Sequence, residues 1–264
     1  MNRSLILSST TTDYTIRLDD PILISVDNHC EAALTALYTY NSCPNITHEN
    51  NRLRYSCDVG VTWKDITFAT GAYELAEINS EIQRQMVINN DYRKDSQLDT
   101  FYIKVTINKP TSKSQLEIND ENYIVDFNVT DSIASTLGFD NKKYTCGIHE
   151  SPNVIDIEKV NAILIHCDLV TGSSINGINS QVIYSFSPKV SPGYKIIEIP
   201  SPQLYYHPVI NQSYIDRVHI WITDQNNRIV DLRGEKITVC IHLRVIDNTA
   251  RVVSDIKSLI EKYV

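Results

Sequence analysis

Apolar and polar residues alternate with a period of two along most of this chain, and long, unequal connections join the alternating stretches. Phe101, Ile103, Val105 and Ile107 alternate in this way, as do Val218, Ile220 and Ile222, and Ile237, Val239, Ile241, Leu243 and Val245. Period two places every second side chain on one face of a strand, so each stretch reads as a half-buried β-strand. About eight such strands of roughly 5–10 residues lie outside residues 71–140, and regular Asn-Gly hairpin turns are almost absent. Antiparallel strands with long connections and no fixed repeat point to a Greek-key sandwich or jelly roll, not to a meander or propeller. Composition agrees. Ile, Thr, Val and Tyr are plentiful while Ala and Leu are sparse, and branched and aromatic side chains suit a pleated surface. The fold expected is all-β.

Two stretches break the period. Leu75, Ile78, Ile82 and Met86 fall at i, i+3, i+7 and i+11, one face of a helix, with Glu74 and Glu77 placed to complement its dipole. Three short strands follow, up to Tyr123–Phe127, after a charged linker at 91–99. A second helix is expected around TDSIASTLGF, with Thr130 or Asp131 as N-cap and Gly138 just past its end. Residues 71–140 are therefore expected to form a small α+β insertion. It would divide a sandwich made of residues 13–70 and 141–248. Residues 1–12 are small and polar and read as a mobile arm. Val252, Val253, Ile256, Leu259 and Ile260 predict a C-terminal amphipathic helix over 249–264. The segment TGSSINGIN reads as a loop.

Net charge is −8, with 32 acidic against 24 basic residues, and no run of Lys or Arg exceeds two. Neutralising phosphates takes a basic stripe, so direct binding of nucleic acid is not expected. No stretch reaches about 18 consecutive apolar residues, so no membrane-spanning helix is expected. The six cysteines, at 30, 43, 57, 146, 167 and 240, contain no C-x-x-C pair. MNRSLILSSTTT lacks a secretory apolar core, so reduced thiols are expected, and the sequons at Asn45, Asn128 and Asn211 read as chance matches.

The search for chemistry returns little. His166, His219 and His242 occupy strands and could converge on a metal, but the close spacing of such sites is missing. His242 falls on the face opposite the inward set. Cys30 follows His29, yet nothing nearby offers an oxyanion hole. GSSING at 172–177 precedes no helix that could hold a phosphate, and DQNNR at 224–228 lacks calcium-loop spacing and reads as a turn. No catalytic, cofactor-binding or metal-binding residues are assigned, and no cofactor or enzymatic activity is expected.

Several separated segments carry a family resemblance. They are NHCEAALTALYTYNSCPNI with NNRLRY, ITFATGAYELAEINSEIQRQM, VDFNVTDSIASTLGF, VNAILIHCDLVTGSSINGINSQVIYSFSPKVSPGYKIIEIP and DQNNRIVDLRGEKITVCIHLRV. In order, over roughly residues 15–246, they resemble the penton (minor capsid) proteins of Polinton/Maverick elements and the related adintoviruses. The resemblance implies a single jelly roll and assembly of the chain into homopentamers. These would fill the vertices of an icosahedral double-stranded DNA virus or virus-like transposon, beside a double jelly-roll major capsid protein. It also implies location in the virion capsid, after assembly inside the host cell, and carries over no catalytic residues. Two other classes remain open on the residues alone. One is a lectin-like or receptor-binding jelly roll, which would gather Tyr38, Tyr40, Tyr205 and Tyr206 on one open surface. The other is an enzyme on the same scaffold, which would carry a bound metal.

Overall fold

The chain opens with three strands, β1 (Asn2–Ser9), β2 (Asp13–Leu23) and β3 (Asn28–Tyr40), in a computed structural model that describes residues 2–24, 28–94, 99–157, 159–210 and 214–247. Next come β4 (Arg52–Ser56), β5 (Lys64–Thr67), helix α1 (Leu75–Ile88), β6 (Ile103–Asn108), β7 (Lys113–Ile118) and β8 (Ile124–Asp126). Helix α2 (Ala134–Leu137), β9 (Lys143–Tyr144) and β10 (Gly147–Val154) follow. The remainder is β11 (Ile163–Cys167), β12 (Ser173–Ile175), β13 (Ile178–Ser180), β14 (Val182–Phe186), β15 (Lys195–Glu198), β16 (His207–Pro208), β17 (Tyr214–Asp224) and β18 (Ile237–Asp247). These elements form two compact units, Met1–Ser42 with Val160–Val264, and Cys43–Lys159.

In the first unit one sheet runs β1-β18-β3-β15, with β16 also paired to β3, and the other runs β14-β11-β17-β2. All these pairings are antiparallel. Numbering the eight long strands of the unit in chain order, the sheets read 1-8-3-6 and 5-4-7-2, which is the strand order of a single jelly roll. This order explains the scarcity of tight hairpins. Only β11 and β14 are consecutive long strands of one sheet; every other step crosses between sheets and needs a longer connection.

Alternation decides which face each strand buries. Ile237, Val239, Ile241 and Leu243 of β18 are buried, and so are Ile163, Ile165 and Cys167 of β11 and Val218, Ile220 and Ile222 of β17. Fully burying each such aliphatic side chain contributes about 2 kcal/mol before entropy is counted. The N-terminal residues are not an arm. Asn2–Ser9 pairs with β18 along its whole length, and Leu5 and Leu7 enter the core between outward serines. The TGSSINGIN segment is not a loop either. Asn176 and Gly177 both have positive φ (50° and 82°) and close the β12–β13 hairpin, as a type I′ turn requires.

The second unit is wider than the insertion expected at 71–140, and it takes in β4 and β5 before α1 and β9 and β10 after α2. Its sheets are β5-β4-β8-β9 and β10-β7-β6. Leu53, Tyr55, Ile66 and Phe68 join Ile78, Ile82 and Met86 of α1 and Val105, Leu116 and Ile118 in one core. Glu74 caps α1 and its amide donates to Glu77 Oε2 at 2.7 Å. Helix α2 is a single turn that starts later than expected. Asp131 has left-handed backbone (φ 57°), and the Ala134 amide donates to Ser132 Oγ instead.

Gly138 ends α2 with φ 78°, and a Cβ there would meet the Asn153 carbonyl and lie 2.9 Å from the Val154 carbonyl oxygen. Both the backbone region and the clash penalise a side chain, so Gly138→Ala is expected to cost about 2 kcal/mol or more. Urea unfolding measures it, and an unshifted midpoint would refute this account.

The predicted helix over 249–264 lies outside the described residues.

Candidate functional site: the outer faces of the jelly roll

Folding scatters the residues that could have carried catalysis. Cys30 is buried on the inward face of β3, where burial raises its thiol pKa, and His29 on the opposite face lies 3.7 Å from Glu31. A thiol held protonated is a poor nucleophile. Asp224 closes the DQNNR turn, accepting hydrogen bonds from the amides of Asn226 (2.8 Å) and Arg228 (2.9 Å) and from Arg228 Nε (2.9 Å). Burial pushes its pKa upward, but these donors outweigh burial and leave it lowered. Among the described residues, no three His, Cys, Asp or Glu side chains lie together in a metal-binding arrangement.

Two of the three strand histidines do converge, on the outer face of the β14-β11-β17-β2 sheet, while His242 belongs to the other sheet. The Trp221 ring stacks on His166 at 4.8 Å (14°) and on His219 at 4.8 Å (26°). His166 is 2% exposed, and its Nε2 lies 2.8 Å from Thr223 Oγ1. Burial depresses its pKa from 6.5 to about 4, so the ring is neutral at pH 7. His219 is tied at both ends. Its amide donates to Asp168 Oδ1 (2.9 Å) and its ring lies 2.7 Å from Asp13 Oδ1. The row fastens the start of β2 to β17 through side chains, in addition to the ladder pairing Trp221 with Asp13.

The outer face of the β1-β18-β3-β15 sheet has a different character. Register places Ile6, Cys240 and Ala36 on one rung and Ser8, Thr238, Tyr38 and Ile197 on the next. Ile6 is 72% and Ile197 57% exposed, on the two end strands of this sheet and on different rungs. Polar aromatic contacts border it. Tyr206 OH lies 2.8 Å from His242 Nδ1, the Arg244 guanidinium covers the Tyr206 ring at 3.5 Å, and Arg244 pairs with Glu31 at 2.6 Å. Lys195 Nζ sits 5.9 Å from the centre of the Tyr38 ring.

Sequence reasoning missed a buried ionic cluster in the second unit. Asp91 is not part of an exposed linker: its carboxylate accepts from Lys64 Nζ (2.6 and 2.8 Å) and from Tyr55 OH (2.6 Å), and its carbonyl accepts from Tyr123 OH (3.2 Å). Nearby, Asp126 accepts from Arg54 Nη2 (2.7 Å), whose guanidinium also lies 4.7 Å from the Trp63 ring centre. Lys143 Nζ sits at the same distance from that ring. Burial, then the hydrogen bond to Asp91, push the Tyr55 hydroxyl pKa up. The only early signal was that Lys64 and Asp91 flank hydrophobic runs. The Asp91 and Asp126 carboxylates are both satisfied by these donors.

No family model matches the chain, and no curated protein matches it. Among similar solved structures is the crystal structure of a selenomethionine-labelled mavirus penton protein, at 11% identity, covering 93% of this chain and 100% of that chain with a TM-score of 0.48. The fold of this chain, a mostly β protein with an antiparallel jelly roll, is read from its own strand order.

Proposed function

We propose that this chain is a structural virion protein. In this reading it is the vertex (penton) capsomer of an icosahedral double-stranded DNA virus or virus-like transposon, and it acts without catalysis. It assembles with copies of itself into a pentamer and contacts a double jelly-roll major capsid protein. The observation that carries the reading is where the penton-like segments fall in the fold. VNAILIHCDLVTGSSINGINSQVIYSFSPKVSPGYKIIEIP runs from β11 through β15, and DQNNRIVDLRGEKITVCIHLRV ends in β18, so both supply strands of the jelly roll. The lectin-like alternative needs aromatic faces open to a sugar. Of the four tyrosines it would use, Arg244 covers Tyr206 and Lys195 lies 5.9 Å from the Tyr38 ring centre, while Tyr40 and Tyr205 are exposed.

Five copies at −8 each gather a charge of about −40 in one ring, which opposes assembly. That repulsion is screened beyond about 8–10 Å at physiological ionic strength, whereas apolar burial is not weakened by salt. Raising NaCl from about 50 to about 500 mM should therefore shift monomer toward pentamer in sedimentation velocity. A stable trimer, or a monomer at every salt and concentration, would reject the vertex reading. Dissociation at high salt would show instead that paired charges hold the interface.

A further inference from the structure

Asn176–Gly177 is the one Asn-Gly pair in the chain, and both of its residues are exposed. The pair forms the tip of the β12–β13 hairpin, a two-stranded sheet held by the pairs Ser173–Ser180, Ser174–Asn179 and Ile175–Ile178. Two strands by themselves are marginally stable in water, so this tip opens far more readily than the sheets of the jelly roll. Its chemistry is that of an amide beside an unshielded nitrogen. The second residue of a two-residue turn takes no ladder hydrogen bond, which leaves the Gly177 nitrogen outside the strand pairing. Nothing lies within 4 Å of the point where a side chain on Gly177 would begin, so water and hydroxide reach it freely. Glycine also allows the closest approach of that nitrogen to a neighbouring group.

We propose that Asn176 is a self-modifying site, at which the chain deamidates with water as its sole co-reactant. The Gly177 amide gives up its proton to hydroxide, and its nitrogen attacks Cγ of Asn176. The N–Cγ bond forms, the Cγ–Nδ2 bond breaks, and ammonia leaves with a proton taken from water, which closes a succinimide ring. Water then opens the ring at one of its two carbonyls. Cleaving the new N–Cγ bond gives aspartate; cleaving the original peptide bond gives isoaspartate, with the chain routed through the side chain. Nothing is oxidised or reduced. The left-handed backbone of Asn176 (φ 50°) serves the I′ turn and not ring closure, so the reaction waits on opening of the hairpin. Either product adds one negative charge to a chain that already carries −8. Isoaspartate also lengthens the backbone by a methylene, which a two-residue turn does not accommodate, so the hairpin does not re-form. The site stands apart from the vertex reading, since its chemistry needs one chain alone.

The full-length protein is aged at mildly alkaline pH in water carrying heavy oxygen, and each asparagine is followed by peptide mass, with isoaspartate separated from aspartate by elution. Asn41 and Asn79, each followed by serine, are the internal controls. Asn41 Nδ2 donates to the Val190 carbonyl at 2.7 Å, and Asn79, within α1, accepts from the Val105 amide at 2.8 Å. Asn176 should convert at least about tenfold faster than either, taking up heavy oxygen and giving mostly isoaspartate. Its rate should also lie within about tenfold of that in the urea-unfolded chain, because the hairpin opens easily. Conversion of Asn41 or Asn79 as fast as that of Asn176 overturns the proposal. So does an Asn176 that stays intact in the folded chain over a time in which the unfolded chain has reacted.

Discussion

Replacing Ile82 by Asp is expected to unfold the second unit while leaving the jelly roll folded. Ile82 is buried on α1 between Ile78 and Met86, in a core shared with β4, β5, β6 and β7. A carboxylate there has no cation within the cluster's apolar lining, so it must be protonated or drag water inward, at a cost of about 3–5 kcal/mol. Hydrogen exchange should quicken in α1, β4, β6 and β7 and remain slow in β11 and β18. That pattern requires the two units to be separately cooperative, as their separate cores imply. Equal loss of protection in β11 and β18 would show instead that the chain unfolds as one.

The second large effect is acid destabilisation through His166. Its pKa is about 4 folded against 6.5 unfolded, so below pH 6.5 the unfolded chain binds a proton that the folded chain refuses. The stability this contributes is complete above pH 6.5 and is lost as pH falls toward 4. The full loss is about 3 kcal/mol, from a shift of roughly 2.5 units at 1.36 kcal/mol each. Urea unfolding at pH 7 and pH 4.5 measures it, with His166→Gln as the comparison. The variant should start less stable, having lost part of the stack on Trp221, and should lose less on acidification. The comparison with the variant isolates the part of the acid sensitivity that belongs to His166. Identical acid sensitivity in both proteins would remove His166 as the cause.

What the sequence by itself determined was local. The period of two marked Ile237, Val239, Ile241 and Leu243 as inward, and the period near 3.6 marked Ile78, Ile82 and Met86, because periodicity follows from backbone geometry within a few residues. Gly138 was legible as a helix end because a left-handed position favours glycine. The jelly-roll class was legible because strands that alternate between sheets cannot be joined by two-residue turns. The His242 face followed from alternation alone.

Only the tertiary structure decided which strand pairs with which. Leu53–Ser56 alternates equally well whether it joins the sandwich or the insertion, and only packing against α1 assigns it to the second unit. Asn2–Ser9 offers just Leu5 and Leu7 to a core, too weak a local signal to mark a strand, and becomes one because β18 presents an edge 238 positions away at the pair Ser4–His242. The Asn176–Gly177 hairpin was the opposite case, a turn signal present and passed over beside two strands of only three residues. Asp91 shows the same limit in its side chain. A charged residue reads as surface until a partner 27 positions distant, Lys64, and the Tyr55 hydroxyl close around it. Partnerships of that range depend on which loops close, and loop closure is a property of the whole chain rather than of any window in it.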